Sequence, residues 1–149
     1  MKVTRNGIGT SKGPSEWFTG AVYIDTVAAP SAASRLSASS VHFSPGARTA
    51  WHAHPNGQTI FVTEGVGRAQ RRGASIEVIR PGDRVFFEPG EDHWHGAAPD
   101  RFMTHLSMVE VDAAYRAKYQ RYAGSILNSV LTTPARSTTI KLLPRSTRS

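Results

Sequence analysis

Gly46-Ala47-Arg48-Thr49-Ala50-Trp51-His52-Ala53-His54-Pro55-Asn56-Gly57-Gln58 is the stretch on which the reading of this chain turns. In extended backbone, side chains two residues apart share a face. His52 and His54 therefore project together, and Gln58 follows just past the Pro55–Gly57 bend. Two imidazoles and an amide form half a shell for a divalent cation, because neutral imidazole suits Zn, Mn, Fe, Co and Ni. A second half comes later in Gly90-Glu91-Asp92-His93-Trp94-His95, again a His-x-His pair behind a Pro-Gly turn. Counting His105, five of the six histidines fall in or soon after these two segments. One His-x-His pair is a weak sign of metal; two, each behind a turn and separated by strand-like sequence, point to one shared site.

The surrounding chain reads as short strands with turns between them. Residues 20–27, 39–44, 48–54, 58–64, 67–72, 74–80, 84–87, 93–95 and 101–111 are β-branched or alternating, and Gly or Pro closes most of them. Turn signals every 8–12 residues predict an all-β sandwich or barrel. Residues 28–37 read as a loop. Residues 1–15 are polar and Gly-rich and read as an N-terminal arm reaching toward a neighbouring subunit, residues 16–112 as the barrel, and 113–149 as a basic extension. Within that extension only residues 113–122 read as a short helix, and the Ser/Thr/Pro/Arg-rich remainder as an irregular, partly disordered tail.

Composition narrows the functional classes. The 149 residues make one domain, long enough to bury a core. With no cysteine there is no disulfide, thiolate metal site or cysteine nucleophile. No apolar run approaches the roughly 20 residues of a membrane span, and the first residues lack a signal-peptide core, so a cytoplasmic protein is expected. The net charge of +7 belongs to the extension: residues 1–110 carry 11 Lys/Arg against 10 Asp/Glu, whereas residues 111–149 carry 7 Lys/Arg against Asp112 alone. No basic groove with interleaved aromatics is visible, so nucleic acid is not an expected partner.

These residues resemble the cupin superfamily. Its first motif is matched by Gly46, His52, His54 and Gly65, with Gln58 where Glu is usual. Its second is matched by Gly82, Gly90 and His93, with Glu88 in place of Pro and Ala97 in place of Asn. The resemblance implies a single-domain cupin fold (a double-stranded β-helix, or jelly-roll barrel) with His52, His54, Gln58 and His93 as metal ligands. Over roughly residues 12–112 the chain is more specifically similar to small manganese-dependent bacterial cupins with hydroxynitrile lyase activity. It shares the Gly-Ala-Arg-Thr-Ala-Trp-His run and the later His-Trp-His-Gly-Ala-Ala-Pro and Met-Thr-His-Leu segments. That similarity implies Mn as the first choice of metal, with Fe, Co, Ni or Zn as alternatives, a small-molecule substrate, and a homo-oligomer (dimer or tetramer).

The Gln58 substitution has a chemical consequence. Three imidazoles and an amide are all neutral, so a bound cation keeps its full charge and acts as a stronger Lewis acid. On residues 103–109 alternation puts Met103, His105, Ser107 and Val109 on one face; if that face lines the barrel, His105 faces the metal from an apolar wall. Burial would keep its imidazole neutral, as a general base requires. His95 shares the face of His93 and reads as a supporting donor or proton carrier, and His42 as a surface or interface residue. The expected reaction is cyanohydrin cleavage, with His105 taking the hydroxyl proton and cyanide leaving toward His95 or another cationic donor. Val22, Val41, Phe43, Ile60, Phe87 and Val109 are the candidate apolar substrate pocket. Two alternatives use the same scaffold: a metal dioxygenase of quercetinase or acireductone type, and a non-catalytic small-molecule-binding cupin. Trp17, Trp51 and Trp94 read as packing, and Arg68, Arg71 and Arg72 as a solvated hairpin face.

Overall fold

A computed structural model of the chain describes residues 1–5, 9–112 and 141–142. The helix expected over 113–122, and all of the basic extension except residues 141–142, lie outside the described residues. Every regular element described is a strand. No helix among the described residues is long and apolar enough to cross a membrane.

Alternation sets which side of each strand turns inward. Strand β7 (Gln58–Gly65) buries Gln58, Ile60 and Val62 and turns Thr59, Phe61 and Thr63 outward. It lies in a six-stranded antiparallel sheet. The strand order there is β1 (Ser11–Lys12), β3 (Val22–Ala28), β4 (Leu36–Phe43), β12 (Met103–Glu110), β7 and β10 (Arg84–Phe87). The second sheet is built around β11 (His93–Ala97), flanked on one side by β5 (Arg48–Thr49) and β6 (His52–Ala53) and on the other by β8 (Gly67–Arg71). Strand β2 (Phe18–Thr19) pairs with β5, β9 (Glu77–Ile79) with β8, and the backbone of β13 (Lys141–Leu142) with β6.

The sheets close on Val22, Val41, Phe43, Ile60, Val62, Phe87 and Met103 from the first and Ala69, Ile79 and Ala97 from the second. Removing each larger side chain from water contributes about 1.5–3 kcal/mol, so this cluster is the main source of stability. All of β11 is buried, on both faces. Its inner face carries the histidines. On its outer face Trp94 donates to Gln70 Oε1 at 2.7 Å and lies under the Arg48 guanidinium, 5.0 Å away. Gly96 lets two backbones approach closely: a Cβ there would run into the Ala47 carbonyl and the Arg48 Cα.

Three local differences from the sequence reading have physical reasons. Residues 48–54 form two short strands, because Ala50 turns its N–H to the Trp17 carbonyl and its own carbonyl to the His52 ring. Strand β4 begins at Leu36, inside the stretch read as a loop, because Leu36 to Ala38 pair with Glu110 to Met108. The arm residues Ser11 and Lys12 pair with Ile24 and Tyr23 of their own chain.

Candidate metal centre

Strands β6 and β11 bring the two His-x-His segments together, because His52 pairs directly with His93. Their rings lie 4.3 Å apart between centroids, and the His54 ring lies 5.1 Å from His52 and 5.9 Å from His93. His52, His93 and His95 each offer a ring nitrogen within 4.8 Å of the others, a grouping able to hold a metal ion. His54 projects beside them, and its Nε2 is buried without a hydrogen-bond partner. Gln58 opens β7 and reaches the cluster through Oε1, 2.9 Å from His93 Nε2.

The same local device orients both pairing histidines. Nδ1–H of His52 donates to the Ala50 carbonyl at 2.9 Å, and Nδ1–H of His93 donates to the Glu91 carbonyl at 2.8 Å. Each ring bonds the backbone two residues earlier, which fixes its tautomer and leaves the Nε2 lone pair facing inward.

All five clustered histidines are held neutral. Burial is the leading cause for each: it lowers His52, where the Ala50 carbonyl opposes it, and drives His54 and His95 well below the usual imidazole range. Burial also takes His93 and His105 down to about 3. A neutral His93 has one proton, already committed to Glu91. Its Nε2 and the Gln58 oxygen are therefore two acceptors facing each other at 2.9 Å. Two lone pairs at that separation repel unless a cation lies between or beside them. With the unpartnered nitrogens of His54 and His95, the residues present fit a divalent cation.

His105, expected to face the metal, meets the cluster through His95: its Nε2 lies 3.0 Å from His95 Nδ1, and Phe43 packs on its ring. That bond occupies His95 Nδ1 and leaves Nε2 as the free nitrogen of the ring. The backbone of β11 is anchored there by His95 N–H donating to Thr49 Oγ1 at 3.1 Å. His42 lies on the opposite face of the first sheet, bonded to Asp25 and Thr104 and away from the cluster.

All six candidate pocket residues are buried: Val22, Val41, Phe43, Ile60, Phe87 and Val109. Phe87 stacks flat on His93 at 3.7 Å and also lines a cavity of ≈ 360 Å³ with Ala69, Arg71, Val85, Phe86 and Glu91. Phe43 and His42 line another of ≈ 310 Å³. Two of the three hairpin arginines, Arg71 and Arg72, are engaged by the chain itself. Arg72 lies over Trp51 and pairs with Asp92, and Arg71 lies 3.7 Å from Glu91. Two contacts of the site were not foreseen from the sequence: Ser107 accepts from Gln58 Nε2 at 2.8 Å, and Phe87 stacks on His93. For Ser107 the available signal was its place on the His105 face of β12.

Two antiparallel sheets enclosing a histidine cluster built from paired His-x-His segments define a cupin barrel of the metal-binding type. The chain belongs to the cupin superfamily: residues 39–109 match the family described as Cupin domain. An (R)-mandelonitrile lyase of Granulicella tundricola is 54% identical over 111 residues, covering 74% of this chain and 85% of that protein. Among solved structures, a cupin-like protein from Thermotoga maritima is 40% identical with a TM-score of 0.65, over 70% of this chain and 78% of that one. A cupin 2 conserved barrel domain protein from Rhodopseudomonas palustris shares the fold at 17% identity, with a TM-score of 0.62 over 77% of this chain and 85% of that one.

Proposed function

We propose that this chain is a metal-dependent carbon–carbon lyase that cleaves cyanohydrins to an aldehyde and HCN, or runs the reverse addition. The observation that carries the reading is the His95–His105 pair, joined at 3.0 Å and opening on a cation-ready cluster that, among the described residues, is made of histidines. The 54% identity to a protein named (R)-mandelonitrile lyase supports the same chemistry and points to aryl cyanohydrins.

His52, His54, Gln58 and His93 would hold the cation, with Mn the first choice because an amide oxygen is a hard donor; Fe, Co, Ni and Zn also suit the imidazoles. When bound, a divalent cation supplies Lewis acidity that lowers the pKa of a neighbouring hydroxyl. The chain supplies the proton acceptor. His95 Nε2 has no partner of its own and stands in the same group as His52 and His93. It takes the hydroxyl proton, the O–H electron pair forms the C=O bond, and the C–C pair leaves with cyanide. The same proton then passes from His95 to the cyanide carbon, giving HCN and leaving the enzyme unchanged. His105 accepts the His95 Nδ1–H, aims the ring, and shares the charge that appears on it. Both imidazoles are buried and neutral, so His95 keeps its Nε2 lone pair, and a proton placed on the pair is quickly returned.

The test is metal analysis of the purified protein, paired with a mandelonitrile cleavage assay before and after chelation. Stoichiometric metal with chelator-sensitive benzaldehyde release is the expected result. Full metal loading with no cleavage of any cyanohydrin would sink the lyase reading.

A further inference from the structure

We infer that Ser107 is a positioning residue for the metal centre: its hydroxyl holds the Gln58 NH2 group so that the amide oxygen faces the cluster. The inference rests on the reading of Gln58 as a metal-facing donor.

Gln58 is buried, so both ends of its amide need partners. Ser107 Oγ accepts from Nε2 at 2.8 Å, while Oε1 points at His93 Nε2 from 2.9 Å. The opposite orientation has its own attraction in the metal-free chain. Turned over, the NH2 group would donate to the His93 lone pair, and one ordinary hydrogen bond would occupy a nitrogen meant for metal. Ser107 lowers the cost of the inward oxygen, because the buried NH2 group then has an acceptor of its own. Without the hydroxyl, the orientation that turns the oxygen to the metal leaves a buried donor unsatisfied, and metal binding has to carry that cost.

The strand arrangement explains why this residue serves. Val109 pairs with Gln58 between β12 and β7, and Ser107 lies two residues along the same inward face, so its short side chain meets the amide diagonally. His105 lies two residues further along that face and holds His95. One face of β12 thus supports two different groups of the site, the oxygen donor through Ser107 and the proton acceptor through His105.

The experiment measures Mn2+ affinity of the full chain by chelator competition, with free Mn2+ followed by electron paramagnetic resonance. Ser107→Val and Ser107→Thr match each other in size and branching and differ in the hydroxyl. Ser107→Val should weaken Mn2+ binding about 10–100-fold, the usual cost of removing a group that orients a ligand, and Ser107→Thr should restore it. In a Gln58→Ala background, with no amide to hold, Ser107→Val should have no effect. Equal affinity of the Val and Thr variants would overturn the inference, as would an equal loss from Ser107→Val with and without Gln58. If the unsubstituted chain binds no divalent metal, the metal reading itself fails and takes this inference with it.

Discussion

Lowering the pH of the metal-free chain from 7 to 5 should destabilise it by at least about 4 kcal/mol, and the cause is the buried histidine cluster. His93 and His105 titrate at about 3 in the fold, against 6.5 for an unperturbed histidine. At pH 5 the unfolded chain therefore carries a proton on each that the folded chain refuses. A depressed imidazole pKa gives its full stability above about pH 6.5, and that stability declines continuously as pH falls toward the folded value. At about 1.36 kcal/mol per pH unit, each histidine costs about 2 kcal/mol by pH 5. His52, His54 and His95 shift in the same direction and add to the loss. Typical domains have only about 5–15 kcal/mol in total, so acid unfolding should set in near pH 5. Asp25, held below its ordinary 3.8 first by Thr10, acts in a separate window at lower pH. The assay is urea unfolding of chelator-treated protein at half-unit steps from pH 8 to 4.5, with His105→Phe as control, whose dependence should be shallower. A midpoint unchanged between pH 7 and 5 would refute the reasoning.

Three further outcomes are expected. His105→Ala should lower mandelonitrile cleavage about 10²–10⁴-fold while metal content stays normal, because His105 touches His95 and none of the expected ligands; unchanged turnover would remove it from the proton path. Chelation should lower the unfolding free energy by about 2.7 kcal/mol when free metal stood at 100 times its dissociation constant. The strands should remain folded by circular dichroism, since the core cluster contains no histidine. Gly65→Ala should cost at least about 2 kcal/mol, because Gly65 has φ +76 and a Cβ there meets the Phe102 carbonyl; a denaturant midpoint equal to the parent's would contradict this.

The local pattern of the chain determined the elements and the inward faces. Alternation on residues 103–109 put His105 on one face with Met103 and Val109, and the structure buries all three. Two His-x-His pairs behind Gly turns pointed to one shared cation site, and the resemblance carried by them and by the Gly spacing implied the cupin barrel. These features are legible because a strand's period of 2 and a turn's need for glycine act over a few residues. The partnerships between elements were not legible in this way. His52 meets His93 through the β6–β11 register, and Gln58 meets Ser107 across 49 positions of chain. That His95, and not His105, turns its free nitrogen to the cluster follows from β11 and β12 lying in different sheets that face each other. Register and sheet packing are fixed by contacts between distant segments, and no repeat within one strand encodes which residue of another will stand opposite it.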